Sequence, residues 1–342
     1  MLVIIADDLT GALDTAAPFA ARGLHTEVAL TIDAVAEALA LQPDVLSINL
    51  ASREKQKNEA YQAMRELIAR LPPGVRLFKK VDSRLKGHIS AELDAIDYTR
   101  ALMAPAIPAF GRVVKDAHVD GFGVASPISI AQVLGHHTER STIPDVLAQK
   151  DLLAALDGCE ADGSHLLVGA RGLAEALAYR MTECADAGLV APPVGPGLFV
   201  IGSYDRITVE QVELLQQMDE VTYQSAPNGV LEALNAITSP LALVQATEGL
   251  VKIAPDEVAR NLAESVHPKL TGDARTMLLC GGATAEAVLA KMGVTSFRLE
   301  GECLPGLGLA YAKGQCIILK SGGFGEPDTL AKLARQIFDG RS

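Results

Sequence analysis

The 342-residue chain is long enough for two domains that each bury a core, and its 49% apolar and 21% charged residues are those of a globular protein without a disordered tail. With 42 acidic against 30 basic side chains, a net charge of −12, no Trp and 4% aromatic residues, it lacks the basic surface and stacking platforms of a nucleic-acid binder, so no nucleic-acid partner is expected. No run of 18 apolar residues occurs and the N-terminus has no signal-peptide pattern, so a cytoplasmic protein with no membrane partner is expected.

Short apolar runs alternate with amphipathic stretches, which predicts an α/β fold of two domains, each a mostly parallel sheet flanked by helices. In the first half, strands are expected at 2–6, 27–30, 44–50, 76–81, 102–105 and 166–169, and helices at 10–21, 33–41, 52–70 and 89–98. Thr10 and Ser52 stand where they would cap the first and third helices, and Gly23 where it would close the first. After a helix that ends near residue 187, the stretch APPVGPG at 191–197 continues neither a helix nor a central strand. The expected division is therefore a domain at 1–190, a linker at 191–197 and a second domain at 198–342, with strands at 198–202, 220–223, 241–245, 276–280, 296–299 and 316–320.

Residues 106–144 show few clean periods, and long irregular segments in compact domains are usually functional. Their His118, His136 and His137 lack metal-ligand spacing and read as solvated loop residues. The five cysteines, at 159, 184, 280, 303 and 316, have no C-x-x-C spacing and read as reduced packing residues, and no metal site is assigned.

Chemistry is expected beyond the carboxyl ends of the strands, where loops and helix N-termini converge. Asp7 and Asp8 follow the first strand there, and two adjacent carboxylates exceed what one helix cap requires. The stretch KKVDSRLKGH, residues 79–88, packs four cations around Asp82 and Ser83, and in an acidic chain that excess points to an anionic ligand. In the second half IGSYDRIT, LLCGGATAEAV and LKSGGFGEPDTL each lead from a strand into a glycine or serine turn before a helix, a pattern whose backbone N–H groups suit phosphate. Neither a Walker-type P-loop nor a dinucleotide fingerprint is present.

ADDLTGA, VDSRLKGH, GGATA and KSGGFG, in that order, resemble the four-carbon acid sugar kinases, a group long carried as a domain of unknown function. The resemblance implies two α/β domains with the active site in the cleft between them, an acid-sugar domain first and an ATP domain second. It implies phosphorylation of the terminal hydroxyl of threonate, erythronate or a 3-oxo-tetronate, with Mg²⁺ carried by the nucleotide. On this resemblance Asp8 is the first choice for the base and Asp82 the second. Asp7, Ser83, Arg84 and Lys86 bind substrate, and Ser203, Gly281, Gly282, Ala283, Thr284, Gly322, Gly323 and Gly325 surround the nucleotide.

Departures from the family pattern are Arg84 for Thr, Lys86 for Arg, His88 for Asn and Ala283 for Asp. Two other readings stay open: a non-catalytic sensor of acid sugar and nucleotide, for which the lost Asp at 283 speaks, and a metal-dependent phosphohydrolase, whose D-x-D pattern is missing. A homodimer is the default expectation for assembly.

Overall fold

Five buried residues, Leu2–Ala6, form β1 in a computed structural model that describes residues 1–162, 165–232 and 239–339. Chain contacts divide the protein into Met1–Ala187 and Gly188–Ser342. In the first unit β1 is followed by α1 (Leu9–Ala20), β2 (Thr26–Ala29), α2 (Val35–Ala40), β3 (Val45–Asn49), α3 (Lys57–Arg70), β4 (Arg76–Lys80), α4 (Ile89–Leu93) and β5 (Ala101–Ala104). Then come β6 (Arg112–Lys115), β7 (His118–Gly121), β8 (Ile128–Ser129), α5 (Ile130–Leu134), β9 (Ser141–Thr142), α6 (Gln149–Asp162), β10 (Leu166–Gly169) and α7 (Arg171–Thr182).

The sheet runs β2-β3-β1-β4-β10-β5-β9, with every pair parallel. Helices cover both faces of such a sheet, which is why β1, β3, β5 and β10 read as unbroken apolar or small runs rather than alternating ones. The chain leaves β1 toward β2 and β3 on one side and reaches β4 on the other, so the strand order reverses between β1 and β4. At such a reversal the connections part and leave a crevice at the strand ends.

The second unit contains β11 (Gly197–Ile201), α8 (Arg206–Leu215), β12 (Val221–Pro227), β13 (Leu241–Thr247), α9 (Pro255–Val266) and α10 (Lys269–Asp273). It continues with β14 (Thr276–Cys280), α11 (Gly282–Lys291), β15 (Ser296–Leu304), β16 (Leu307–Ala312), β17 (Gln315–Lys320) and α12 (Thr329–Asp339). Its strands run β12-β13-β11-β14-β17-β16-β15, parallel except that β16 is antiparallel to β17 and β15 to β16. Its core joins Phe199, Ile201, Leu243, Leu278 and Ile318 from the sheet to Leu330, Leu333 and Ile337 of α12. The Pro/Gly stretch 191–197 runs along this unit: Gly195 N–H donates to Ile337 O at 3.2 Å.

Several local expectations are corrected. Asp8, not Thr10, caps α1, because its side chain reaches Gly11 N–H at 2.8 Å. The third helix starts at Lys57 rather than Ser52: Gln56 and Glu59 form a reciprocal capping box, while Ser52 is buried and spends its hydroxyl on Glu92. The helix expected at 89–98 stops at Leu93, and the one expected to end near 187 stops at Thr182, where Glu183 turns left-handed with φ 55°. The strand expected at 296–299 extends to Leu304 and turns at Gly306, φ +80°, into the unexpected β16. Residues 106–144, which lacked periodicity, hold the antiparallel ribbon β6-β7-β8. Cys184 is exposed, against the packing role expected of all five cysteines; the other four are buried, and all are free thiols. Among the described residues, no helix is long and apolar enough to cross a membrane.

Candidate active site

Asp7 and Asp8 leave the end of β1 beside the end of β4, with Ile5 in register with Lys79. Their countercharge comes from the end of the other neighbouring strand, β3. Ser52 and Arg53 N–H donate to Asp7 O at 3.0 and 3.2 Å, which anchors the turn that carries the Arg53 guanidinium. That guanidinium grips Asp7 with Nε to Oδ2 at 2.9 Å and Nη2 to Oδ1 at 2.7 Å, while Nη1 donates to Asp8 Oδ2. Both Asp7 oxygens are therefore occupied by one planar fork, the geometry arginine suits and lysine does not.

Behind this pair lies a buried ionic core. Lys79 Nζ meets Glu92 Oε2 at 2.8 Å, both side chains 1% exposed, and donates to Lys80 O at 2.9 Å; Ser52 Oγ donates to the other Glu92 oxygen. A charge so deeply buried persists only when paired and hydrogen-bonded, and this one ties α4 to β4 and to the turn bearing Arg53. Lys80, next along, is 5% exposed.

Residues 82–88 fold back onto the carboxylates. Asp82 Oδ1 accepts from Arg84 N–H at 2.9 Å and Leu85 N–H donates to Asp82 O at 2.8 Å, which sustains φ +58° at Leu85. Gly87, φ +93°, passes so close that a Cβ there would stand 2.6 Å from Asp7 Oδ2, so only glycine fits. Ser83 is buried and accepts from Arg112 Nη1 at 2.5 Å, and Arg112 also donates to Phe122 O at 2.8 Å. The Arg84 and Lys86 side chains are exposed. Burial and then the Arg84 charge push the Arg112 guanidinium down from its ordinary pKa, with Asp82 opposing, the signature of crowded cations.

The structure thus brings Asp7, Asp8, Asp82, Ser83, Arg84 and Lys86 into one region and adds Arg53, Lys80 and Arg112, which sequence reasoning did not single out. Arg53 had a signal in its place after a strand end, as Asp8 did. Lys80 lay inside a charge run whose members look alike until the strand pairing is known.

His137 corrects the expectation of solvated histidines: it is fully buried, between Tyr98 OH at 2.7 Å and Arg140 Nη2 at 2.8 Å on Nδ1. With His136 and Asp94 it forms a cluster of metal-ligating atoms. Arginine only donates, so His137 Nδ1 accepts and the ring proton sits on Nε2, which donates to Asp94 Oδ1 at 3.0 Å and Ser90 O at 3.1 Å. No lone pair is left facing His136, and burial, with the His136 charge, holds the His137 pKa below its usual value. The cluster pins residues 135–140 to α4.

In the second unit three strand-end turns converge. A Cβ on Gly202 would stand 1.8 Å from Thr284 Oγ1, and one on Gly322 would stand 2.0 Å from Ser203 Oγ. Gly281 caps α11 at φ +103°, Gly323 lies against Asp205, and Gly325, φ +94°, lies against Thr329 and Gln211. Thr284 is buried with its hydroxyl turned to Gly202, whereas Ala283 is exposed at the start of α11. The carbonyls of the 321–326 turn point inward: Gly322 O accepts from Thr208 Oγ1 at 2.6 Å, Glu326 O from Gln211 Nε2 at 2.8 Å, and Ser321 O from Lys320 Nζ at 3.1 Å. Lys320 is 3% exposed, and burial lowers its pKa. A backbone with its carbonyls turned in, beside a buried ammonium and a helix N-terminus, makes a cradle fit for phosphate.

Two family models match the chain, a sugar-binding N-terminal domain over residues 2–120 and a nucleotide-binding C-terminal domain over 198–330. The chain is 29% identical to a D-threonate kinase of Bordetella bronchiseptica, over 99% of this chain and 98% of that protein. It is 26% identical to a 3-oxo-tetronate kinase of Cupriavidus necator, over 98% and 97%. A solved Haemophilus influenzae protein assigned to a domain of unknown function shares the fold, with TM-score 0.73 at 20% identity over 98% of this chain and all of that one. With both domain models in order and full-length kinase relatives, the chain belongs to the four-carbon acid sugar kinase family.

Proposed function

We propose that the protein transfers the γ-phosphoryl group of ATP to the terminal hydroxyl of a four-carbon acid sugar, with the acid held by the first unit and the nucleotide by the second. One observation carries this reading: each unit presents, at the carboxyl ends of its parallel strands, a site suited to one of the two ligands. The first gathers carboxylates and cations for a hydroxylated anion, and the second gathers glycine turns and a helix N-terminus for phosphates.

Asp8 is the base. It is 28% exposed where Asp7 is 3%, and its raised pKa makes it the better proton acceptor of the two. Asp7, with both oxygens on Arg53, orients that guanidinium and through it Asp8, rather than touching substrate hydroxyls. Asp82 holds its own turn. Arg84 and Lys86, exposed and without internal carboxylate partners among the described residues, bind the substrate carboxylate, and Ser83 with Arg112 borders it. Gly281, Gly282 and Ala283 N–H groups, with the Ser203 and Gly322–Gly323 turns, hold the phosphates. Gly325 shapes the turn, and Thr284 and Lys320 support the cradle from beneath. Mg²⁺ enters with the triphosphate through its oxygens and water and offsets their charge. The protein's share is positioning and charge stabilisation, as phosphoryl transfer requires.

A coupled ADP-release assay over four- and five-carbon aldonates tests the reading. ADP release dependent on D-threonate, D-erythronate or a 3-oxo-tetronate is expected. ADP release that ignores the acid, or binding of both ligands with no turnover, overturns it.

A further inference from the structure

Lys80 is an anomaly in the first unit. Its side chain is 5% exposed at the end of β4, and among the described residues it makes no hydrogen bond and no ion pair. Every other buried lysine among the described residues is spoken for: Lys79 by Glu92, Lys320 by Thr208 and the 321–322 carbonyls. A buried ammonium without a hydrogen bond is costly, and the Asp7 and Asp8 charges offset this one only from beyond ion-pair contact, which leaves its donors poised for a group the folded chain does not supply.

Gly11 shows how near Asp8 and Lys80 stand to each other. The position a Cβ would take on Gly11 lies 2.6 Å from Asp8 Oδ1 and 2.9 Å from Lys80 Nζ. The ammonium and the carboxylate thus flank the first turn of α1 from two sides, near enough to share one small ligand atom, yet they do not pair with each other. Glycine leaves the two groups where they are, since a Cβ at 11 would stand under 3.0 Å from both and displace them. The gap is bounded by one acceptor, one donor and the N-terminal end of a 12-residue helix. A hydroxyl matches that set: it donates its proton to a carboxylate and presents its oxygen lone pair to a cation.

Building on the kinase reading above, we propose that Lys80 and Asp8 form the slot for the reacting hydroxyl. The O–H bond breaks with its proton passing to Asp8, and the freed electron pair forms the new bond to the γ-phosphorus of ATP. The bond from that phosphorus to the β,γ-bridging oxygen breaks, and its pair leaves with ADP. Lys80 Nζ faces the oxygen while it carries the developing negative charge, an interaction stronger in the transition state than in the bound alcohol. Lys80 is then a catalytic residue, distinct from Arg84 and Lys86, which hold the far end of the acid.

The test uses the full chain with ATP and whichever of D-threonate and D-erythronate the wild type phosphorylates. Lys80→Met should lower kcat at least a hundredfold, leave KM for ATP within about threefold, and move the acid limb of the pH profile upward, because Asp8 loses a neighbouring cation. Gly11→Ala, whose Cβ would stand 2.6 Å from Asp8 Oδ1 and 2.9 Å from Lys80 Nζ and so push both groups off position, should also lower kcat sharply while KM for ATP stays within about threefold. The second variant decides the matter if Lys80→Met does not fold. A kcat within threefold of wild type in either folded variant, or a loss matched by a rise in KM for ATP, overturns the slot and leaves the kinase reading standing. A wild type that releases no ADP with any acid overturns both.

Discussion

Asp7 and Asp8 share the Arg53 guanidinium yet are driven in opposite directions. Burial pushes both carboxyls up. For Asp7 the Lys79 charge, the Arg53 hydrogen bonds and charge, and Lys80 outweigh burial and hold it below its ordinary 3.8. For Asp8 burial prevails over Lys80, Arg53 and the Gly11 N–H, and the Asp7 charge adds to it, so its pKa is raised. On the function proposed above, carboxyls pushed apart in this way divide the work, Asp7 as a fixed anion and Asp8 as the proton acceptor.

Asp8→Asn keeps the cap on α1 but cannot take a proton. Turnover should fall by about two to four orders of magnitude with ATP binding unchanged. Because the ionised form of Asp8 is disfavoured in the fold, thermal stability should hold or rise. Steady-state kinetics and a melting curve on the same sample check both, and near-normal kcat would remove Asp8 as the base.

Asp7 sets an acid limit on stability. Its folded pKa lies below the unfolded value, so its contribution is complete above pH 3.8 and is lost as pH falls through the depressed pKa. Asp7→Asn should cost on the order of 2–4 kcal/mol at neutral pH by leaving Arg53 half-paired, and should flatten the fall in stability below pH 4. Urea melts at pH 7 and pH 3 measure the two effects; equal losses at both would contradict the assignment.

Lys86→Met should raise KM for the acid roughly ten- to a hundredfold and leave KM for ATP nearly unchanged, as expected for a lost charge-assisted contact worth about 1.5–3 kcal/mol. A wild type that accepts the neutral sugar alcohol as readily as the acid would show that Lys86 and Arg84 bind something else.

Gly322→Ala tests the second unit. Its Cβ would meet Ser203 Oγ at 2.0 Å, so the two turns must part. ATP-induced stabilisation, about 2.7 kcal/mol at a hundred times Kd, should be lost while stabilisation by the acid persists. Loss of the acid's effect alone would reverse the roles of the two units.

What the sequence determined by itself was local and periodic. The alternation of buried strands with amphipathic helices, the carboxylates after β1, the cations of 79–88 and the glycine turns of the second half were all legible, because parallel strands covered on both faces are short apolar runs and ligand turns need particular residues at their ends. Helix starts were less legible: Ser52 looked like a cap because nothing in the chain order shows that its hydroxyl is taken by Glu92, 40 residues away. The pairing of charges was decided by tertiary structure alone. Asp7 and Asp8 have no cation beside them in the chain. They acquire Arg53 because β3 pairs with β1 on one side, and Lys79 and Lys80 because β4 pairs with it on the other. Which carboxylate is locked and which is raised, and which lysine is spent and which is left unpaired, depend on separations of a few ångströms in a buried site, where desolvation magnifies every contact and sequence distance carries no information.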